Sequence, residues 1–331
     1  MRSAEDPPIG ITFASLGVLG PASVPSVARQ AADLGYRSFW TAEANGTDAV
    51  TPLGAVRAVA PTLDVATGIA PMQLRSPALA AMTAATLQEM APSGEVWLGV
   101  GVSTPPIVER WHGGEYSDHP LGQMREYLTL VRQLLSGEQV SFEGDHYQVR
   151  RFQLGVRYTS DRRPKLVLAA LNPGMLALAG ELADGVLLNY LPASHVASSV
   201  EHVRASGDAT VFAYVHAAVT EWERGVRSAQ RDLFGYVMAD GYARMLRSAG
   251  FEDEVADVRT RAADGDRDGA VAAISDRMVD EIDHIGDAAS VARFVRSYLG
   301  AGVDHAVLMP LPWGEDRRAV VDATMAAAAE A

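Results

Sequence analysis

The chain contains no cysteine in 331 residues. Disulfides, a thiolate nucleophile and zinc–sulfur centres are therefore excluded. Long apolar runs are missing too: none approaches the roughly 20 residues needed to span a bilayer. The opening MRSAEDPPIG has no basic stretch followed by an apolar core, so no secretory signal is expected and the chain reads as cytoplasmic. Positive charge is scarce. Lys and Arg total 28 against 41 Asp and Glu, giving a net charge of −13 and a pI near 5.0. That balance argues against a nucleic-acid partner, while a small anionic ligand could still bind through local backbone donors. Several motifs are absent as well. Gly99-Val100-Gly101 lacks the third glycine and the following helix of a dinucleotide fingerprint, there is no phosphate-binding Walker loop, and no serine is flanked as Gly-x-Ser-x-Gly. Glu109 and His112 have Glu-x-x-His spacing in one copy only, within a stretch that reads as a loop, so no metal is expected. His195 and His202, seven apart on one predicted helix, read as a solvated face.

What is present is an ordinary globular composition, 48% hydrophobic and 21% charged. The most informative stretch is Asn172 to Asn189, NPGMLALAGELADGVLLN. Asn172 suits an N-cap, and Pro173 suits the first helical position, where its missing N–H costs nothing. Leu176, Ala179, Gly180 and Ala183 recur at helical spacing. Asp184-Gly185 ends that helix, and Val186 to Leu188 reads as a strand buried on both faces. Lys165 to Leu171 is another such strand just before it. Strand, capped helix, turn, strand makes a βαβ unit with parallel strands. The free N–H groups at Asn172 to Met175 then open at the strands' C-terminal end, where anionic groups are favoured.

The same alternation runs through the chain. Strands are expected at 9–15, 37–42, 64–70, 95–101, 165–171, 186–188, 210–219 and 305–309. Helices are expected at 24–34, after Thr51-Pro52, at 76–90 and at 121–135. Val140 to Val149 reads as a β-hairpin with a Gly-Asp turn. Eight strands alternating with helices predict a single α/β domain over 1–331, a (β/α)8 TIM barrel. Its insertions fall at about 103–120, 137–160 and 221–301, the last a helical, charge-rich block between strands seven and eight. A doubly wound sheet is the rival and would need fewer strands.

Together these residues resemble the bacterial-luciferase-like superfamily, and within it the deazaflavin (coenzyme F-420)-dependent oxidoreductases related to methylenetetrahydromethanopterin reductase. The likeness rests on Asn172 to Asn189, on TGIAPMQLRSPALAAMTAATLQEM (Thr67 to Met90), and on LGVGVSTPPIVERWHG followed by HPLGQMREY. Gly10 to Phe13 and FWTAE (Phe39 to Glu43) add to it, so nearly the whole chain is covered in family order. Flavin mononucleotide shares this scaffold, which leaves it as the alternative cofactor. The chain departs from the family at two places. Many relatives follow the second strand with an acid-histidine pair, whereas Glu43 is followed here by Ala44 and Asn45, which puts in doubt any mechanism needing a histidine there. Ser93-Gly94-Glu95 replaces the usual Ser-x-Gly-Arg, at the barrel end that serves stability.

The resemblance implies roles for particular residues. Gly68-Ile69 matches a non-prolyl cis peptide and bulge behind the cofactor ring. Ser15 and Ser103 would meet the ring's polar edge or cap their loops. Leu171, Asn172, Pro173, Gly174 and Met175 would hold the phosphate-bearing tail, with Asn189 completing the site. Arg75 has two readings, a contact to that tail or a structural ion pair. Glu43 is the candidate acid or base, and His112, beside Trp111, could close over the substrate and donate a proton. Tyr190 and Trp313 lie near strand ends and read first as packing. The activity implied is hydride transfer between reduced deazaflavin and a small organic molecule at a C=C, C=N or carbonyl group. The alternatives are a flavin mononucleotide monooxygenase and a non-catalytic cofactor-binding barrel. Relatives commonly form homodimers, so a twofold dimer is expected.

Overall fold

A computed structural model describes residues 8–91 and 93–331; the reading of the chain's start as lacking a signal falls on residues 1–7, outside the described residues. The strands are β1 (Ile9–Thr12), β2 (Ser38–Thr41), β3 (Asp64–Thr67), its short continuation β4 (Ala70–Pro71), β5 (Val96–Gly101), a hairpin of β6 (Val140–Glu143) and β7 (Gln148–Phe152), β8 (Lys165–Ala169), β9 (Gly185–Leu188), β10 (Thr210–Val219), β11 (Asp283–Gly286) and β12 (His305–Pro310). Parallel pairing runs β1-β2-β3-β5-β8-β9-β10-β12, and β12 returns to β1. That closes an eight-stranded parallel barrel, the expected (β/α)8 fold.

The outer ring is built from α1 (Val24–Asp33), α2 (Thr51–Val59), α3 (Pro77–Glu89), α4 (Pro120–Leu135), α5 (Pro173–Leu182), α6 (Ala193–Arg204), α12 (Ala288–Gly300) and α13 (Arg317–Ala328). Between β10 and β11 lie α7 (Trp222–Val237), α8 (Asp240–Ser248), α9 (Glu252–Ala263), α10 (Arg267–Ala272) and α11 (Asp276–Ile282). No helix among the described residues is long and apolar enough to cross a membrane. Local chemistry fixes the ends. Ser76 Oγ accepts from Leu79 N with Pro77 at the first helical position, and Asp287 caps α12 by accepting from Ser290 N. In α1 the buried positions Val24, Val27, Ala28 and Ala31 follow the helical period and face the sheet.

Two layers of core result. One lies between strands and helices, and the other fills the barrel, where Trp40, Trp97, Phe212, Tyr214, Leu187 and Val307 are packed together. The Trp40 and Trp97 rings sit 4.9 and 5.0 Å from Phe212. The barrel interior is thus a packed aromatic floor rather than a pore. Close approach of β3 to β5 needs glycine: a Cβ on Gly99 would lie 1.8 Å from the Thr67 carbonyl oxygen.

Three features differ from the sequence reading. The block at 221–301 contains β11, which adds in parallel to the outer edge of β10, with His216 opposite Asp283. The stretch around Glu109 is not a loop but a wide helical turn, Pro106–Trp111, in which His112 N donates to Ile107 O five residues back at 3.2 Å. The hairpin's second strand runs three residues beyond Val149, to Phe152. Strand pairing extends the first and the third segments, whereas the turn at Pro106–Trp111 is held by its own backbone bonds.

Candidate active site

The C-terminal ends of the barrel strands and the loops after them gather the candidate residues. On the β2–β5 side, β3 breaks after Thr67 and resumes as β4, which pairs with β5. The Gly68–Ile69 peptide between them is cis, the geometry that the resemblance implies. Tyr214 Oη donates to Gly68 O at 2.8 Å, and a Cβ on Gly68 would lie 2.1 Å from that same hydroxyl. Thr67 Oγ1 both donates to Gly99 O (2.7 Å) and accepts from Gly99 N (2.8 Å). Glu43 N and Gly68 N donate across to Ile69 O and Thr41 O, so the loops after β2 and β3 are sewn together.

Glu43 does not stand free. Arg75 grips it with two bonds, Nη2 to Oε1 at 2.9 Å and Nε to Oε2 at 3.1 Å, and both side chains are largely buried, 14% and 16% exposed. A bidentate guanidinium of this kind fixes the carboxylate geometrically as well as electrically. Arg75 is therefore in the ion pair that was one of its two readings. Tyr127 Oη donates to Arg75 O and braces the loop from α4. His112 meets the same loop from the other side, its Nε2 bonded to the Ala44 carbonyl. His112 and Trp111 are both exposed.

The remaining candidates lie around the mouth. Ser15 Oγ donates to Pro310 O at 2.6 Å, tying the end of β1 to the end of β12. Ser103 has a left-handed backbone, φ 54°, just beyond β5. At α5, Asn172 leaves its own helix uncapped: its Nδ2 donates to Gly241 O at 3.2 Å instead. Pro173 and Gly174 are exposed, Leu171 and Met175 half-buried, and the nearest side chain to a Cβ on Gly174 would be Leu121 at 3.5 Å. Asn189 at the end of β9 reaches the same α8, with Nδ2 donating to Tyr242 Oη at 3.1 Å. Asn172 and Asn189 are thus brought together through the first turn of α8.

Behind Asn189 lies a polar cluster that sequence reasoning missed. His216 Nε2 is 3.0 Å from Asn189 Oδ1, and His216 Nδ1 is 3.0 Å from Asp283 Oδ1. Tyr190, also in a left-handed conformation at φ 52°, donates to Asp232 Oδ2 at 2.6 Å and stacks on Tyr236. Burial pushes the Asp283 carboxyl well above the usual range. Burial pushes Asp232 up to about 6 and pulls His216 down to about 4. A visible signal did exist: His216 is the one histidine in the apolar strand TVFAYVHAAV. Its partners, 16 and 67 residues further along the chain, have no local signature.

A family model described as luciferase-like monooxygenase matches residues 12–305. A protein of Mycobacterium tuberculosis described as a coenzyme F420-dependent oxidoreductase is 27% identical, covering 89% of this chain and 92% of its own. The 5,10-methylenetetrahydromethanopterin reductase of Archaeoglobus fulgidus is 26% identical, covering 87% and 89%. Among solved structures, the coenzyme F420 dependent tetrahydromethanopterin reductase from Methanopyrus kandleri superposes with a TM-score of 0.79 at 20% identity, covering 97% of each chain. That superposition speaks for the fold.

Proposed function

The chain belongs to the luciferase-like monooxygenase family, and from that premise we propose that it is a coenzyme F420-dependent oxidoreductase. It would move a hydride between the deazaflavin and a small organic substrate at a C=C, C=N or carbonyl group. The observation that carries this reading is the likeness, over 85% or more of both chains, to two relatives named for deazaflavin or methanopterin redox chemistry. The residues suit the group. The uncapped first turn of α5 offers backbone N–H groups to a phosphate, and its exposed Gly174 leaves the approach open.

When bound, the deazaflavin supplies the hydride from its C5 carbon; the protein's part is position, exclusion of water and the proton. The N–H groups of Gly174 and Met175, beyond Leu171, Asn172 and Pro173, hold the phosphate-bearing tail. Gly68, Ile69, Ser15 and Ser103 border the ring, and the aromatic floor below shuts water out of the barrel. Glu43, held by Arg75, braces the β2 loop rather than trading protons. With its Nε2 committed to Ala44 O, His112 has Nδ1 left to carry the proton delivered to substrate.

The family's name favours a second reading, a monooxygenase using reduced flavin mononucleotide. Anaerobic oxidation of reduced coenzyme F-420 by the purified protein, screened against enones, imines and ketones, separates the two. Turnover without oxygen supports the deazaflavin reading. Turnover only with reduced flavin mononucleotide and with oxygen consumed sinks it.

A further inference from the structure

The cluster behind Asn189 poses a proton-counting problem. Asp283 is fully buried, its Oδ1 faces His216 Nδ1, and its Oδ2 has no hydrogen-bond partner among the described residues. Asp232 is beside it, since one oxygen of each carboxyl and one nitrogen of His216 all lie within 4.8 Å of one another. The groups facing this cluster are Asn189 and Tyr190 at the end of β9, Tyr236 on α7, Tyr242 on α8, and Tyr298 on α12. None carries positive charge, and no Lys or Arg makes an ion pair with any of the three ionisable residues among those described.

With both ring nitrogens of His216 shared between Asp283 and Asn189, and burial holding the imidazole neutral, two hydrogen placements fit the ring contacts. In one, His216 Nδ1–H donates to an ionised Asp283, and the Asn189 amide is turned to offer N–H to Nε2. That leaves a bare buried carboxylate with an orphan oxygen next to a second carboxyl, an expensive arrangement. In the other, Asp283 is a neutral acid whose Oδ1–H donates to Nδ1. An acid's carbonyl oxygen tolerates the missing partner far better than a carboxylate oxygen does. His216 must then carry its proton on Nε2 and donate to Asn189 Oδ1, which turns Asn189 Nδ2 toward Tyr242, the orientation observed.

We propose that Asp283, held as a neutral acid, and His216 form a positioning pair that fixes the Asn189 carboxamide with its N–H2 edge toward Tyr242 and the cofactor. One Nδ2–H is used by Tyr242; the other has no acceptor among the described residues and is left for an anionic or carbonyl oxygen of the ligand. The inference rests on the reading of Asn189 as a cofactor contact. It adds Asp283 and His216 as positioning residues: neither touches the cofactor, and both act through Asn189.

Two measurements test it. Side-chain nitrogen NMR of His216 in the ligand-free protein is expected to show Nε2–H with Nδ1 as acceptor at pH 7. An Nδ1–H tautomer would overturn the proposal whether or not any cofactor binds. Titration with oxidised coenzyme F-420 then compares variants whose folding is checked by thermal unfolding. Asn189→Ala, His216→Phe and Asp283→Leu are each expected to weaken binding about tenfold or more, with Asn189→Ala/His216→Phe no worse than the single changes. Asp283→Asn, which keeps shape and can donate N–H to Nδ1, should bind within about threefold of the natural protein. Loss of affinity in Asp283→Asn equal to that in Asp283→Leu would contradict a neutral Asp283, as would a stoichiometric divalent metal found in the purified protein. Failure of the natural protein to bind the deazaflavin would count against the proposed function, with the NMR result still deciding the pair.

Discussion

Two carboxyl sites flank the mouth of this barrel, and they are neutralised in opposite ways. On the β2 side, Glu43 is met by a guanidinium in a two-bond clamp. On the β9–β11 side, Asp232 and Asp283 lie among tyrosines and one histidine, with no Lys or Arg paired to them among the described residues. An Arg stays charged at any ordinary pH, so the first carboxylate always has a cation beside it. The second can lower its charge only by holding protons, so its state depends on pH. A carboxyl at a barrel mouth is thus not a proton donor by location alone; its partner decides whether it braces a loop or titrates.

The largest expected effect comes from breaking the clamp. Arg75→Ala leaves a mostly buried carboxylate unpaired and should cost about 3 kcal/mol in urea unfolding. Glu43→Gln in that background should recover part of the loss, a coupling that a double-mutant cycle reads directly.

The second site should respond to pH. Asp232 titrates near 6 in the folded protein against 3.8 as its ordinary value, so the folded state holds more protons between those values. Stability contributed there is therefore lost as pH rises from about 4 to 6. His216, pulled down to about 4 from 6.5, works in the opposite sense: the unfolded chain binds more protons, and stability rises over much the same window. The two slopes offset in the natural protein. Asp232→Asn should uncover the rising one, gaining about 2 to 3 kcal/mol over the natural protein between pH 4 and pH 7, from roughly two pKa units at about 1.4 kcal/mol each. Chemical denaturation at both pH values checks the sign; a gain that shrinks as pH rises would contradict it.

Smaller changes sharpen the contrast. Tyr190→Phe removes the donor to Asp232 Oδ2 and should cost about 1 kcal/mol at pH 8, where the carboxyl is charged, and less at pH 5. His112→Ala removes one exposed contact to Ala44 and should change stability by less than about 0.5 kcal/mol. Turnover of reduced deazaflavin by that variant should still fall about a hundredfold if Nδ1 delivers the proton, read as kcat against KM.

Much of this architecture is legible in the residues. Pro173 after Asn172 marks where α5 starts, and Asp184-Gly185 where it ends, because both effects are local backbone chemistry. Strands such as Val96 to Gly101 and Gly185 to Leu188 are nearly continuous apolar runs, as parallel strands buried on both faces require. Strand β11 is not legible: DHIG is too short and too polar to read as a strand, and it extends only because β10 offers its edge. Placing Asn172 and Asn189 near one site follows from strand and helix ends. Their joint anchoring on α8, at Gly241 and Tyr242, does not follow, because it depends on how an inserted block folds back. The Glu43–Arg75 clamp and the Asp283–His216 contact bridge 32 and 67 residues, and only the closed barrel brings such partners together.

The most direct test of the account is a side-by-side titration of the apoprotein with oxidised coenzyme F-420 and with flavin mononucleotide, followed by fluorescence or calorimetry. The account predicts saturable binding of the deazaflavin at least tenfold tighter than that of the flavin, weakened when inorganic phosphate competes at the start of α5. Preference for flavin mononucleotide, or binding of neither, would contradict it.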